Sequence, residues 1–378
     1  MLKPLFSILA GLNLLSGIAT AAADIKTVNV GTSPSALTVG THNSTPKVYV
    51  ANSGSNNVTV LDAFGNVLKT VSVGKQPSNI LAWGERVYAI NNYGNSISVL
   101  ETSTDSVTAT LPTGNGPFAV IGNTKAGNVY VANSGHSSVM DKNFSITVIG
   151  SDAQVAGTIP VPFRPTCLAV DTSANRLYVG VRDEKNRNSQ LGILVIDGST
   201  LAFLDTIYLD APPSAIAINP RTGYLYTVSS TRSPSYRNPS GTNWWPIRIF
   251  DTRNDYNELN AAMGGQMTVS ILVNPDANLV YVSNFGDGTV TVLNGADNSQ
   301  AAVINTQGQY TRGMAGDAAI SRVYAVNEKS GSVAVIDSTS FSWLATVGAS
   351  PGQITLIPGV AAFVVNYKGN SVTRIQIH

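Results

Sequence analysis

Charge is what this sequence has least of. Only 12% of its 378 residues are Asp, Glu, Lys or Arg, about half the ordinary share, and the formal net charge is +1. Without a basic stripe to neutralise phosphates, nucleic acid is excluded as a partner. Ser, Thr, Asn and Gly carry solubility instead. A single cysteine, Cys167, rules out an intrachain disulfide and reads as a small buried hydrophobe in a strand. The three histidines, His42, His136 and His378, fall in different parts of the chain, with His42 expected on the face opposite His136. That supports neither a triad nor a histidine metal cage. Gly114-Asn115-Gly116 precedes no helical pattern, so it is a turn and not a dinucleotide fingerprint. Asp287, in the turn Phe285-Gly286-Asp287-Gly288, lacks the further oxygen ligands that calcium needs. The expectation is therefore no catalytic residue, no metal ligand and no cofactor.

Beyond the N-terminus no run approaches the roughly twenty apolar residues of a membrane span. At the N-terminus, Lys3 precedes an apolar run from Leu5 to Ile18, followed by Ala21-Ala22-Ala23. A positive start, a short apolar stretch and small residues at a cleavage site make a secretory signal. Residues 1–23 are expected to be removed near Ala23, leaving one domain over 24–378 in the periplasm or outside the cell. Oligomeric state is not legible.

What the sequence does have is repetition. Lys47-Val48-Tyr49-Val50-Ala51-Asn52, then a Gly/Asn turn, then Val58-Thr59-Val60-Leu61-Asp62, is one version of a unit that recurs through the chain. Its second-strand aromatic reappears as Tyr88, Tyr130, Tyr178, Tyr226, Tyr281, Tyr324 and Phe363, at spacings of 39 to 55 residues. Apolar-aromatic-apolar runs such as Leu177-Tyr178-Val179 mark a strand covered on both faces. The next strand ends near an acid or Asn (Asp62, Glu101, Asp197, Asp251, Asn294, Asp337), expected to start a turn by bonding its own backbone. Upstream comes a strand like Thr70-Val71-Ser72-Val73-Gly74, then a proline (Pro34, Pro77, Pro117, Pro165, Pro213 or Pro351), expected between strands where its missing N–H costs nothing.

A strand-turn-strand repeat near forty residues is the sequence form of a propeller blade. The fold class is all-β, a β-propeller of four-stranded blades, with eight units counted and seven still open. The last unit lacks its outer strand, and Thr27-Val28-Asn29-Val30 can supply it and close the ring. These residues resemble the YVTN-repeat β-propellers, which include YncE-like periplasmic proteins, over essentially all of 24–378. The resemblance implies the fold; its members differ too widely in substrates and partners to imply one function.

Three successive units carry insertions between their second and third strands: 134–144, 182–192 and 229–246. By strand alternation all three project from one face as a raised wall, and loops this long need a reason. The longest carries Arg232, Tyr236, Arg237, Trp244 and Trp245. Adjacent tryptophans cannot both be buried by strand alternation. They either pack down as a local mini-core or stand exposed with the arginines as binding residues. Arg182, opening the densest charge cluster, and His136 complete the candidate site. An envelope protein or a glycan would suit it, and the first reading is a non-catalytic binding or scaffold protein. The alternative is an enzyme of the lactonase, lyase or quinone-dependent dehydrogenase kind, or a supporting subunit of a redox complex, using the central funnel. Its inner strands offer two isolated acids, Asp171 and Asp317.

Overall fold

A computed structural model of the chain describes residues 24–136, 143–183, 192–231 and 245–377. The expected signal segment 1–23 lies outside them. The described residues form eight antiparallel sheets and no α-helix. Seven are built from consecutive strands running outward from the ring axis: blades 1 to 7 span 34–72, 77–112, 117–160, 164–207, 215–263, 268–305 and 311–346. Blade 8 takes three strands from 351–376 and its outer strand from the other end of the chain. Ile25–Asn29 pairs with Ser371–Gln376, from Ile25 opposite Ile375 to Asn29 opposite Ser371. The ring therefore has eight blades, and the alternative of seven is eliminated.

All eight aligned aromatics are buried between neighbouring blades. Several of their hydroxyls reach a turn in the next blade: Tyr130 donates to the Gly198 carbonyl at 3.0 Å and Tyr281 to that of Ser338 at 2.9 Å. Burial pushes the Tyr281 phenol up to about 12, so it stays a donor. At the closure Phe363 has no hydroxyl. Arg374, directly opposite Phe363 in register, donates Nε to the Ala63 carbonyl at 2.9 Å, across to blade 1. Gly198, Ser338 and Ala63 each follow the acid that ends a third strand, so one acceptor position is served by two different side chains.

A second contact joins the blades near the opposite face. In six blades the second strand ends in a buried Asn: 52, 91, 133, 284, 327 and 366. Its amide donates across the turn to the third strand, as from Asn91 to Ser96 and Ser98 (3.1 and 3.0 Å) and from Asn366 to Ser371 and Thr373 (3.0 and 2.9 Å). Over each Asn lies a glycine two or three residues past the end of the preceding outer strand. A Cβ at Gly74 would overlap Asn91, and one at Gly308 or Gly348 would overlap Asn327 or Asn366.

Pro213 lies between strands, as expected, but the other prolines do not: Pro165 is the second residue of its inner strand, and four open theirs. Pro34, Pro77, Pro117 and Pro351 are first residues of inner strands, and the register shifts just after each one. A first strand position followed by a bulge is where a missing N–H is tolerated. The acids ending third strands do hold their own turns: Asp62 accepts from the N–H of Phe64 and Asn66, and Asp197 from Ser199 and Thr200. Asp171 and Asp317, the two inner-strand acids, do the same at the inner-to-second turns, and Asp317 also accepts the Gly359 N–H of the next blade.

Removing residues 24–30 would leave Ser371–Gln376 as an open edge, and we expect the shortened chain to melt well below the parent and to aggregate, as read by differential scanning calorimetry and light scattering. A pH effect follows from Asp62. Burial by itself raises its pKa, but the Asn66 and Phe64 donors and the Lys26 charge outweigh it and hold the carboxyl below the usual Asp value. A depressed folded pKa stabilises above the unfolded value and loses that contribution as pH falls through the folded one. Asp62→Asn should thus lower the melting temperature near about pH 7, and the gap to the parent should shrink by about pH 3. A gap that widens in acid would contradict this.

Candidate functional site

In each blade the second-to-third turns share a face with the outer-to-inner turns, and in blades 1, 3, 6 and 7 two backbone bonds tie them together. Phe285 and Gly286 donate to the carbonyls of Met267 and Gln266, and Glu328 and Lys329 to those of Tyr310 and Gln309. Blade 3 keeps this pattern as far as Ser134 and Gly135, which donate to Gly116 and Asn115. Its insertion therefore departs from a regular turn.

All three insertions join second to third strands, on consecutive blades 3, 4 and 5, and so leave from this one face. Two bounds differ from expectation. Arg182 ends its strand, paired in register with Arg164, because the ladder continues one residue further, and Pro246 already begins the next strand. Blades 4 and 5 are also the two without the buried Asn. Val181 and Ser229 stand in its place, and Pro162 and Asp210 occupy the positions of the overlying glycine. Val181 packs with Val161 instead.

Of the expected binding residues, Arg232, Tyr236, Arg237 and Trp244 lie outside the described residues. Trp245 stands at the foot of its loop, half-buried, its indole N–H donating to the Ser230 carbonyl at 3.3 Å. It is thus tied to the propeller on one side. Beneath it Arg248 makes two 2.6 Å bonds to Glu258, sits 3.5 Å from Asp210 and lies over the Phe250 ring. At the foot of the blade 3 insertion, Asn115, Asn143, Phe144, Thr158, Pro160 and Val161 line a cleft of about 450 Å³.

His136 packs back on blade 2. Its Nε2 is 3.0 Å from Asn95 Oδ1, which also accepts the Gly116 N–H, so the histidine is the donor. Its ring lies 4.8 Å from that of Tyr93, which is 51% exposed.

A second aromatic pair, not anticipated from the sequence, flanks the insertions on the other side. Phe285 and Tyr310 stack at 4.5 Å with 14° between planes, and the Lys329 ammonium is 5.1 Å from the Tyr310 centroid. Tyr310 has φ +64° and Met267 φ +54°. The same left-handed position before the inner strand holds Ser33, Gln76, Gly116 and Ser350 elsewhere, residues that are small or polar. A bulky side chain there costs about 1 kcal/mol, yet Tyr310 is 40% and Met267 38% exposed. Aligning the units on that position is the signal that would have found them.

Among the described residues no group of three or more His, Cys, Asp or Glu is placed to hold a metal ion. Cys167 lies on the inner strand of blade 4, partly and not fully buried, with its sulfur 3.8 Å from the Pro213 carbonyl. Burial pushes its thiol up to about 12. We expect the native chain to react with a disulfide reagent at about pH 8 far more slowly than the denatured chain, since the thiolate is the nucleophile; equal rates would contradict that environment.

Ring, closure and rim together define an eight-bladed β-propeller with one elaborated face. Among solved structures the chain is similar to a hydrazine synthase of Kuenenia stuttgartiensis (16% identity, TM-score 0.64, covering 93% of this chain and 98% of that one). It is also similar to the computationally designed Ika8 protein (13%, TM-score 0.70, 92% and 98%) and to the dihydro-heme d1 dehydrogenase NirN (12%, TM-score 0.64, 87% and 73%). At these identities the likeness speaks for the fold. No family model and no curated protein matches the chain.

Proposed function

We propose that this chain is an exported, non-catalytic propeller of the YVTN-repeat type that binds an envelope protein or glycan through the face bearing the three insertions. The observation that carries this is the placement of three insertions on consecutive blades and one face, with the exposed rings of Tyr93 and Tyr310 on the blades to either side. Elongated loops add ordering cost without extending a sheet, and exposed rings beside cations are residue types that dominate interfaces. Arg232, Tyr236, Arg237, Trp244 and Trp245 supply the anchors, with Arg182 and His136 at the neighbouring loops.

The second reading is an enzyme, or the supporting subunit of a redox assembly, working through the central funnel. Two of the similar structures carry enzyme names, which favours it; the inner-strand acids, both occupied in holding turns, do not.

The test is affinity capture from envelope extract with chain 24–378 beside a folded Trp244→Ala/Trp245→Ala variant. A partner whose capture falls at least about tenfold in the variant supports rim binding, because loss of such anchors typically costs about 2 kcal/mol or more. Equal capture by both chains would move the site elsewhere, and turnover of a small molecule unaffected by the double substitution would favour the funnel.

A further inference from the structure

We propose that the insertion-bearing face, along the blades that carry no insertion, docks on an anionic phospholipid bilayer through Lys75, Lys329 and Lys368 and the tyrosine beside each. The proposal shares a face with the binding reading above and goes beyond it, since it needs none of the insertion residues. Three observations carry it. The first is a repeated pair. On blade 7 the Lys329 ammonium lies 5.1 Å from the Tyr310 ring. On blade 8 Tyr367 and Lys368 are neighbours in one second-to-third turn. On blade 2 the turn holding Tyr93 is tied to the one holding Lys75, with the Asn92 N–H donating to the Gln76 carbonyl at 3.0 Å. All three tyrosines and all three lysines are exposed, and none of these lysines has an acid partner among the described residues.

The second observation is where the acids stand. In the turns of this face from blade 7 through blades 8 and 1 to blade 2, the one acid is Glu328, and Arg312 neutralises it at 2.7 Å. The same four blades carry Asp62, Glu85, Glu101, Asp105, Asp317 and Asp337 at the turns of the opposite face. A chain with a formal net charge of only +1 is thereby polarised, cationic on this side and acidic on the other, and an anionic surface orients it this side down. The third is geometry. Equivalent turns of successive blades end at one level, so the lysines are spread over a plane and not gathered round a point: Lys329 and Lys368 are on adjacent blades, and Lys75 lies beyond blade 1. A single phosphate would reach one of them, whereas a layer of anionic headgroups meets all three at once. Tyrosine, apolar in the ring and polar at the tip, is a side chain that settles at headgroup depth, and a lysine stem extends its charge to the same level.

Chain 24–378 is sedimented with vesicles of phosphatidylglycerol and phosphatidylcholine in equal parts, and with vesicles of phosphatidylcholine alone, at low and at high ionic strength. Three variants run beside it: Lys75→Gln/Lys329→Gln/Lys368→Gln, Trp244→Ala/Trp245→Ala, and Lys69→Gln/Lys125→Gln/Arg221→Gln, which removes the same net charge from exposed positions off this face. The expected result is binding to the anionic vesicles alone, released by salt. It should weaken about a hundredfold in the first variant, at about fivefold per lysine, while that variant melts as the parent does. The tryptophan variant and the second charge variant should retain vesicle binding, so a failed insertion site and a failed docking face give different patterns. Absence of binding to the anionic vesicles, equal binding to neutral ones, or equal weakening in the two charge variants overturns the proposal. So does capture of an acidic protein that depends on Lys329 and Lys368 without any vesicle binding.

Discussion

The contact on which six of the eight blade junctions depend is a glycine lying on an asparagine. A blade buries both faces of its middle strands only if the next blade comes close, and close approach of backbone to a buried side chain needs a residue without a Cβ. Gly31, Gly74, Gly114, Gly265, Gly308 and Gly348 supply it over Asn52, Asn91, Asn133, Asn284, Asn327 and Asn366. The asparagine cannot be apolar there, because its amide satisfies the hydroxyls opening the third strand. Tyr49, Tyr130, Tyr226 and Tyr281 act near the other face, each pinning its blade to a turn of the next. Where the chain ends meet, the pin is rebuilt from Phe363 and Arg374, so closure is completed by hydrogen bonds across chain termini as well as by the strand Ile25–Asn29.

That contact also explains where elaboration is tolerated. The Asn amide fixes the start of the third strand against the end of the second, which suits a tight turn. Blades 4 and 5 lack both Asn and Gly: Val181 packs with Val161, and Ser229 donates its hydroxyl to the Pro212 carbonyl instead. Freed of the requirement for a tight turn, they carry the two later insertions. Blade 3 retains Asn133, bonded to Ser145 and Thr147 across its insertion, so its loop leaves from an intact turn base. The face is thus shaped by where an interior contact is kept and where it is given up.

Low charge directs the functional reading. With few ionic groups, many of them paired within a blade, such as Arg86 with Glu101 and Arg322 with Asp337, recognition falls to aromatic surfaces and to the few lysines without an acid partner among the described residues. On the insertion-bearing face Tyr93 and Tyr310 are such exposed rings. The bottom turns are instead occupied with their own backbone, as the acids at 62, 171, 197 and 317 show.

The sequence by itself determined the blade and the closing strand, because each unit repeats a strand pattern whose burial is local and periodic, while the count of eight over seven was decided by the ring. It also placed the insertions, which are simple departures from the period. It missed Phe285, Tyr310 and Lys329, which lie 25 and 19 residues apart in the chain and meet only when blade 6 is set beside blade 7. It also put Pro34, Pro77, Pro117 and Pro351 between strands, since nothing local reveals that a bulge follows and lets the inner strand begin at the proline. Tertiary structure decided these matters because a propeller's surface is assembled from turns of different blades: the repeat dictates each turn, and only the ring dictates which turns become neighbours.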